Sequence, residues 1–398
     1  CSANKMYISV FFTILILCFN TIVTKKIGSA LNFILCWNLL FYLLVGIPSL
    51  NFNAVNIHSQ LFIVSLTLML CLGYIIGQGA GQHVTLGNIV IPKVTLPLFL
   101  INFLGVYVIY SKLGGFNIDG FVEAAVLTRA DLFNNDKSLG TAIFDNAFVS
   151  LALLSACKGI KLKDVRYFAP IALCFLVSVV QLERARLIML TITLSFLLFH
   201  TNYNRLGKGF FLTILFIISA FIIIGTVRGS FATESDPLWY LFDKVLVYIV
   251  GGFPAFSQFF ENSQAFIDAD YFNTFPFIAK VLNVFGLEFE INNYKYTLVY
   301  IPQVSNIFTG YRQIFQDFGL VGSLLFSFMA GLMIGFLEVL CRARLSTNNV
   351  GFTLSLFLMI VLFWLYIPFY SIFMFMFPFI FVLVASTVSI KKLRFDFK

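Results

Sequence analysis

LVGSLLFSFMAGLMIGFLEV, residues Leu320–Val339, carries a single charged side chain, Glu338, in an otherwise apolar and small-residue run. A helix rises about 1.5 Å per residue, so about 20 such residues cross a hydrocarbon layer roughly 30 Å thick. The run therefore predicts a membrane-crossing helix. Reading outward with the same rule gives spans at Met6–Val23, Asn32–Leu50, Leu61–Ile76, Thr95–Tyr110, Thr141–Cys157, Tyr167–Leu182, Leu187–Thr201, Phe210–Thr226, Phe352–Tyr366 and Phe373–Ile390. The expected fold is an all-α polytopic membrane protein of about 11 transmembrane helices, a single membrane domain over residues 1–398.

Composition agrees. Of 398 residues 60% are hydrophobic and 11% charged, and mean hydropathy is +0.94. A soluble chain of this length carries about 25% charged residues, so there are too few here to coat a water-facing surface. The 7 cysteines include no C-x-x-C pair, and the 3 histidines lie far apart, which argues against a disulfide framework or a metal site. Asp268 and Asp270 form a D-A-D triplet without other ligand types nearby. No metal and no cofactor is expected. Net charge is +8, but the basic residues sit in short turns between apolar runs, the pattern of topology signals rather than of a nucleic-acid face. The first apolar run lacks a small-residue cleavage site and is followed by Lys25 and Lys26, so it is expected to remain as a span.

Lysine and arginine are enriched in cytoplasmic loops. Lys25 and Lys26, the group from Lys158 to Arg166, Arg342 with Arg344, and the group from Lys391 to Lys398 all fall in one set of alternate loops. This places the C-terminus in the cytoplasm and the N-terminus outside. Two long segments then face outward: residues 111–140 (Ser111–Gly140) and residues 227–319 (Val227–Gly319). Chemistry in contact with water is expected there, where no ATP is present. Within the larger loop, Pro237–Phe260 reads as an apolar helix broken at Gly251-Gly252 and Pro254. Ala269–Phe285 reads as an amphipathic helix, of the kind that lies in the interface or caps a bundle. Leu287, Phe289 and Ile291, then Asn292-Asn293, then Tyr294, Tyr296, Leu298 and Tyr300 predict a hairpin.

Charges at the outer membrane edge are the candidate functional residues, because a desolvated charge persists where it has a partner. Glu183, Arg184 and Arg186 occupy a tight outer turn; Arg186 heads the next helix, and a local Glu–Arg pair is the alternative role. Arg228, in Thr226-Val227-Arg228-Gly229-Ser230, marks a span exit and either binds ligand or snorkels to the interface. Asn306 to Gly322 is the richest stretch. Thr309, Arg312 and Gln316 fall at i, i+3 and i+7, so one helical face presents a hydroxyl, a guanidinium and an amide, with Tyr311 and Asp317 beside them. Gly319 and Gly322 are expected to allow close helix approach. A guanidinium donates two hydrogen bonds in a fixed plane, which suits a diphosphate. Arg129, eleven residues before Gly140, is a further, weaker candidate.

With the spans, the two outer loops, T-V-R-G-S and above all N-x-x-T-x-x-R-x4-D-F-G-x-x-G (Asn306–Gly322) in hand, the chain resembles the bacterial O-antigen or oligosaccharide repeat-unit polymerases, the Wzy family, which are related to the O-antigen ligases. The resemblance covers the whole chain as architecture and about 30 residues as motif. It implies a GT-C-like glycosyltransferase of the inner membrane whose active site faces the periplasm. In that reaction the growing glycan leaves undecaprenyl diphosphate and joins the terminal sugar of a second undecaprenyl-diphosphate-linked oligosaccharide. Implied partners are that lipid-linked substrate, membrane lipid, a chain-length regulator and a flippase, with no nucleic acid. Arg228, Arg312 and Arg186 would stabilise the diphosphate. Arg184, Glu183, Arg129, Thr309, Tyr311, Gln316 and Asn306 would bind diphosphate or sugar. Asp317 and Glu183 are the general-base candidates. A ligase using a lipid A-core acceptor is the nearest alternative, although Val227–Gly319 lacks the histidine such enzymes typically carry there. A lipid-linked oligosaccharide flippase or other transporter is the alternative from another class.

Overall fold

A computed structural model of the chain describes residues 6–24, 29–47, 52–82, 84–86, 139–162, 164–180, 251–261, 299–300, 304–305, 309–342, 353–358, 373–388 and 393–395, with isolated positions within 186–194, 219–250, 274–287 and 360–361. The architecture is helical: α1 (Tyr7–Thr24), α2 (Ala30–Val45), α3 (Ile57–Gln82), α4 (Leu139–Leu162), α5 (Ala169–Val180), α6 (Gly252–Glu261), α7 (Tyr311–Arg342) and α8 (Phe373–Val388). Two short antiparallel pairs accompany them: β1 (Val84–Leu86) with β4 (Leu393–Phe395), and β2 (Val299–Tyr300) with β3 (Val304–Ser305). Among the described residues two helices, α3 and α7, are long and apolar enough to cross a membrane. The expected span Thr95–Tyr110 lies outside the described residues.

Exposure runs opposite to the pattern of a water-soluble helix. On α1 the buried face carries Ser9, Thr13 and Asn20 beside Met6 and Ile16, whereas Tyr7, Phe11, Ile14, Phe19 and Ile22 are exposed. On α3 the exposed positions Ile57, Leu61, Leu68, Leu72 and Ile76 form one apolar stripe. That stripe is about 28 Å long at 1.5 Å per residue, close to the thickness of bilayer hydrocarbon.

The centre of the fold is the parallel crossing of α3 and α7. Gly73 and Gly77 on α3 meet Gly331 and Gly335 on α7, two G-x-x-x-G pairs facing each other. A Cβ at Gly73 would fall on the Phe328 carbonyl, at Gly77 on that of Leu332, at Gly331 on that of Leu70 and at Gly335 on that of Tyr74. Only hydrogen fits at all four positions. Ser327 adds a cross-helix hydrogen bond, its hydroxyl donating to the Leu66 carbonyl at 2.6 Å. The expectation for Gly319 and Gly322 is corrected here. Gly319 has open space around its α-carbon and φ +62°, ψ −164°, so it kinks α7 rather than packing it against a neighbour. The space beside Gly322 is filled by Phe318 of its own helix.

A buried polar cluster sits at the pole where α1 and α7 end and α2 begins. Asn20 donates to Ser29 Oγ (3.0 Å) and to Asn32 Oδ1 (2.6 Å), and Asn32 Nδ2 donates to Thr21 Oγ1 (3.1 Å). Ser29 caps α2 through the Asn32 amide, and Glu338 reaches across from α7 to accept from the amide of Ala30 at 3.1 Å. The same Glu338 oxygen accepts from the Tyr74 hydroxyl at 2.6 Å, and that hydroxyl accepts from Gln78. The carboxylate thereby satisfies an orphan donor at a helix amino end, where negative charge is favoured. The β1–β4 pair joins the end of α3 to the segment after α8.

In the large loop a turn at Gly251 separates the helical positions Val247 and Val250 from α6, which starts at Gly252, so the apolar segment is interrupted at the glycine pair as expected. Gly251 N still bonds Val247 O (2.9 Å) and Ala255 N bonds Gly251 O (3.2 Å) across the turn. Pro254 lies in the first turn of α6, where its missing N–H costs nothing. A short hairpin pairs Val299 with Ser305 and Tyr300 with Val304; the hairpin expected around Asn292-Asn293 falls outside the described residues. Residues 288–298 lie outside the described set. The amphipathic segment ends at Gly286 (φ +84°), with Leu287 N bonded to Leu282 O and Gly286 N to Asn283 O, a Schellman closure.

Candidate functional site

The head of α7, Tyr311 to Phe318, lies above the Gly319 kink and is enclosed by the start of α3, by α6 and by Thr274 of the large loop. Local chemistry starts the helix: Thr309 O accepts from Arg312 N (3.1 Å) and Gly310 O from Ile314 N (3.3 Å). Aromatic packing then fixes the head. Phe315 lies against Phe62 (5.4 Å) and Phe260 (5.1 Å), Tyr311 against Phe256 (5.9 Å), and Phe62 against Phe256 (6.0 Å). A hydrogen-bonded contact at the same level joins α6 to the start of α3, with Ser257 Oγ accepting from the Asn56 amide at 2.7 Å.

Within this enclosure Thr309, Arg312 and Gln316 are all buried, with Arg312 only 4% exposed. The Arg312 guanidinium carbon stands 4.9 Å from the centroid of the Phe259 ring. A desolvated cation–π contact of this kind contributes about 2 kcal/mol. Burying a guanidinium costs several kcal/mol unless anions and hydrogen bonds meet it. The helix head carries further buried polar groups: Gln313 is buried too, and Gln313 Oε1 and Thr309 Oγ1 have no hydrogen-bond partner among the described residues.

Asp317 has a definite contact. Its Oδ2 accepts from the Thr274 amide, and the Thr274 hydroxyl donates to the Gln313 carbonyl at 3.3 Å. The large loop is therefore held on the helix head at two points, one of them the carboxylate read as a general-base candidate. Tyr311 is turned into the aromatic core.

The structure brings Thr309, Tyr311, Arg312, Gln316 and Asp317 together on one helix head. Arg186 is also buried, 2% exposed, and helical, followed by buried Leu187; the turn expected before it lies outside the described residues. Arg129, Glu183, Arg184, Arg228 and Asn306 lie outside the described residues. Sequence reasoning passed over Gln313, Thr274 and Phe259. Gln313 falls off the 309/312/316 face and is buried because the head is enclosed on more than one side. Phe259 lies in the apolar segment preceding the amphipathic helix, and only the folded loop carries it to the guanidinium. Comparison with family models, with curated proteins and with solved structures gave no match.

Proposed function

We propose that this chain is a membrane-embedded glycosyltransferase that polymerises polyprenyl-diphosphate-linked oligosaccharide repeat units at the outer face of a bacterial inner membrane. The buried guanidinium of Arg312, at the head of a membrane-length helix that also buries Thr309, Gln313 and Gln316, is the observation that carries this reading. A hydroxyl of the acceptor sugar attacks the anomeric carbon of the donor glycan. The new C–O bond forms as the bond to the diphosphate oxygen breaks, the electron pair leaves with polyprenyl diphosphate, and the hydroxyl proton passes to a base or to water. Diphosphate is already a good leaving group, so charge stabilisation during bond breaking is the main demand. Fixed guanidinium groups meet that demand without a metal cation. In this account Arg312 is joined by Arg228, Arg186 and Arg184 on the diphosphate, with Asn306, Glu183 and Arg129 nearer the sugars. Asp317 holds the large loop in place.

The polytopic arrangement of about 11 spans in a GT-C-like fold, with a cytoplasmic C-terminus, belongs to the same proposal. It is supported by the inverted exposure of α1 and α3. It is supported too by the β1–β4 pair, which requires the chain after α3 and the chain after α8 to lie on one side. The eight spans expected between those points satisfy this parity. A chain-length regulator and a flippase are the expected partners.

The test supplies purified protein with a polyprenyl-diphosphate-linked repeat unit in the presence of EDTA and resolves the products on a gel. A ladder at single-repeat spacing is expected. Transfer of glycan only to a lipid A-core acceptor would replace the polymerase reading with ligase. Inertness toward both would return the chain to the transporters.

A further inference from the structure

A cavity of about 410 Å³ opens between α7, the helical positions Phe357, Ile360 and Val361, and Met376 of α8. Its wall is hydrocarbon, aromatic and thioether, with Met329, Met333 and Phe336 from α7, Phe357 and Ile360 opposite, and Met376 from α8. The volume is that of a small-molecule site, and flexible methionine side chains adapt to irregular apolar chains. The α7 face that lines it turns away from Gly331 and Gly335, the two meeting at Leu332, whose backbone packs on Gly73 and Gly77.

We infer that this slot holds the polyprenyl chain of the lipid-linked substrate, an assignment that rests on the function proposed above. Depth and charge select the occupant. Lining residues run from Phe326 to Phe336, which are seven and seventeen residues beyond the Gly319 kink, or about 10 and 25 Å along the helix. With the hydrocarbon edge taken from the expected span Leu320–Val339, the slot straddles the midplane, about 15 Å below that edge. An acyl chain of an outer-leaflet phospholipid ends near that midplane, whereas a polyprenyl chain continues past it. At the upper end of the same helix stands the buried cation of Arg312, which complements a diphosphate head and offers nothing to a zwitterionic one. Head and tail of one ligand thus have separate complements on α7.

The test uses the full-length protein in phospholipid vesicles and a polyprenyl diphosphate bearing a diazirine in the distal half of its chain. After irradiation, adducts are mapped by mass spectrometry. Expected are adducts on Met333 and Phe336 that disappear with excess unlabelled polyprenyl diphosphate. Met333→Trp, which fills the slot, is expected to raise KM for the polyprenyl-linked repeat unit about tenfold and leave a farnesyl-linked one unchanged. Labelling of the slot by a diazirine phospholipid, undiminished by polyprenyl diphosphate, would overturn the assignment and make this an acyl-chain site. Polyprenyl adducts on other helices would overturn the slot and leave the polymerase standing. Absence of any polyprenyl adduct, together with no gel ladder, would overturn both.

Discussion

Asp317 and Glu338 are carboxylates on one helix that do different work. Asp317 Oδ2 accepts the Thr274 amide, and an asparagine there still offers an acceptor oxygen but no basicity. As a loop clamp, Asp317→Asn is expected to keep polymerisation within about threefold of wild type, while Asp317→Ala loses ten- to a hundredfold. Equal, severe loss in both variants, with normal protein accumulation, would make the carboxylate the base after all. Glu338 accepts from both Ala30 N and Tyr74 Oη within the packed interior. Truncation strands two buried donors, each worth about 1–3 kcal/mol. Glu338→Ala is accordingly expected to lower thermal stability in detergent without changing KM. The Thr309, Arg312 and Gln316 spacing was legible in the sequence because helical periodicity alone sets it. Burial of Gln313, and the ring of Phe259 beneath the guanidinium, depend on how the large loop folds back, which no local pattern records.

At the level of elements, the apolar runs located α1, α2, α3, α4, α5 and α8 to within a few residues at most ends. The span within α7 is expected from Leu320, with the helical face of Thr309, Arg312 and Gln316 leading into it. The two run as one helix from Tyr311 that bends at Gly319, a join that the change from polar to apolar residues hides in the sequence. Both G-x-x-x-G pairs were present in the sequence, but pairing one with the other needs the fold. Gly77→Val and Gly331→Val each drive a side chain into a facing backbone carbonyl and are expected to destabilise by about 3 kcal/mol or more. Gly79, which faces open space, supplies the control: Gly79→Ala should leave the melting temperature of the purified protein within about 1 °C. At Gly319 any side chain meets the strain of positive φ, about 1–3 kcal/mol. Gly319→Ala is expected to reduce turnover through a displaced Arg312 while the α3–α7 crossing persists. Unchanged turnover would detach the kink from the site.

For the whole molecule, contacts sort into two poles. The α1–α2 turn, Glu338, and the β1–β4 pair gather at one end; Asn56, Ser257, the head of α7 and Thr274 gather at the other. In the proposed topology the first of these ends faces the cytoplasm and the candidate site faces outward. Substituted cysteines test it with a membrane-impermeant maleimide: Lys26→Cys and Lys392→Cys should react only after the inner face is opened, and Asn293→Cys in intact spheroplasts. Reaction of Lys26→Cys and Lys392→Cys from opposite sides would break the topology. Composition alone reveals the membrane environment. The reaction does not follow from it, because the arginines become a site only when the large loop encloses one of them.

The central claim is that a buried guanidinium stabilises the departing polyprenyl diphosphate, and single-turnover release of polyprenyl diphosphate in EDTA measures it most directly. Relative to wild type, Arg312→Ala is expected to slow release about 100- to 1,000-fold at saturating lipid-linked repeat unit, the usual loss for one preorganised donor. Arg312→Lys should recover part of that rate by restoring charge without the planar fork. Release at the wild-type rate from Arg312→Ala protein that folds and inserts normally would contradict the account.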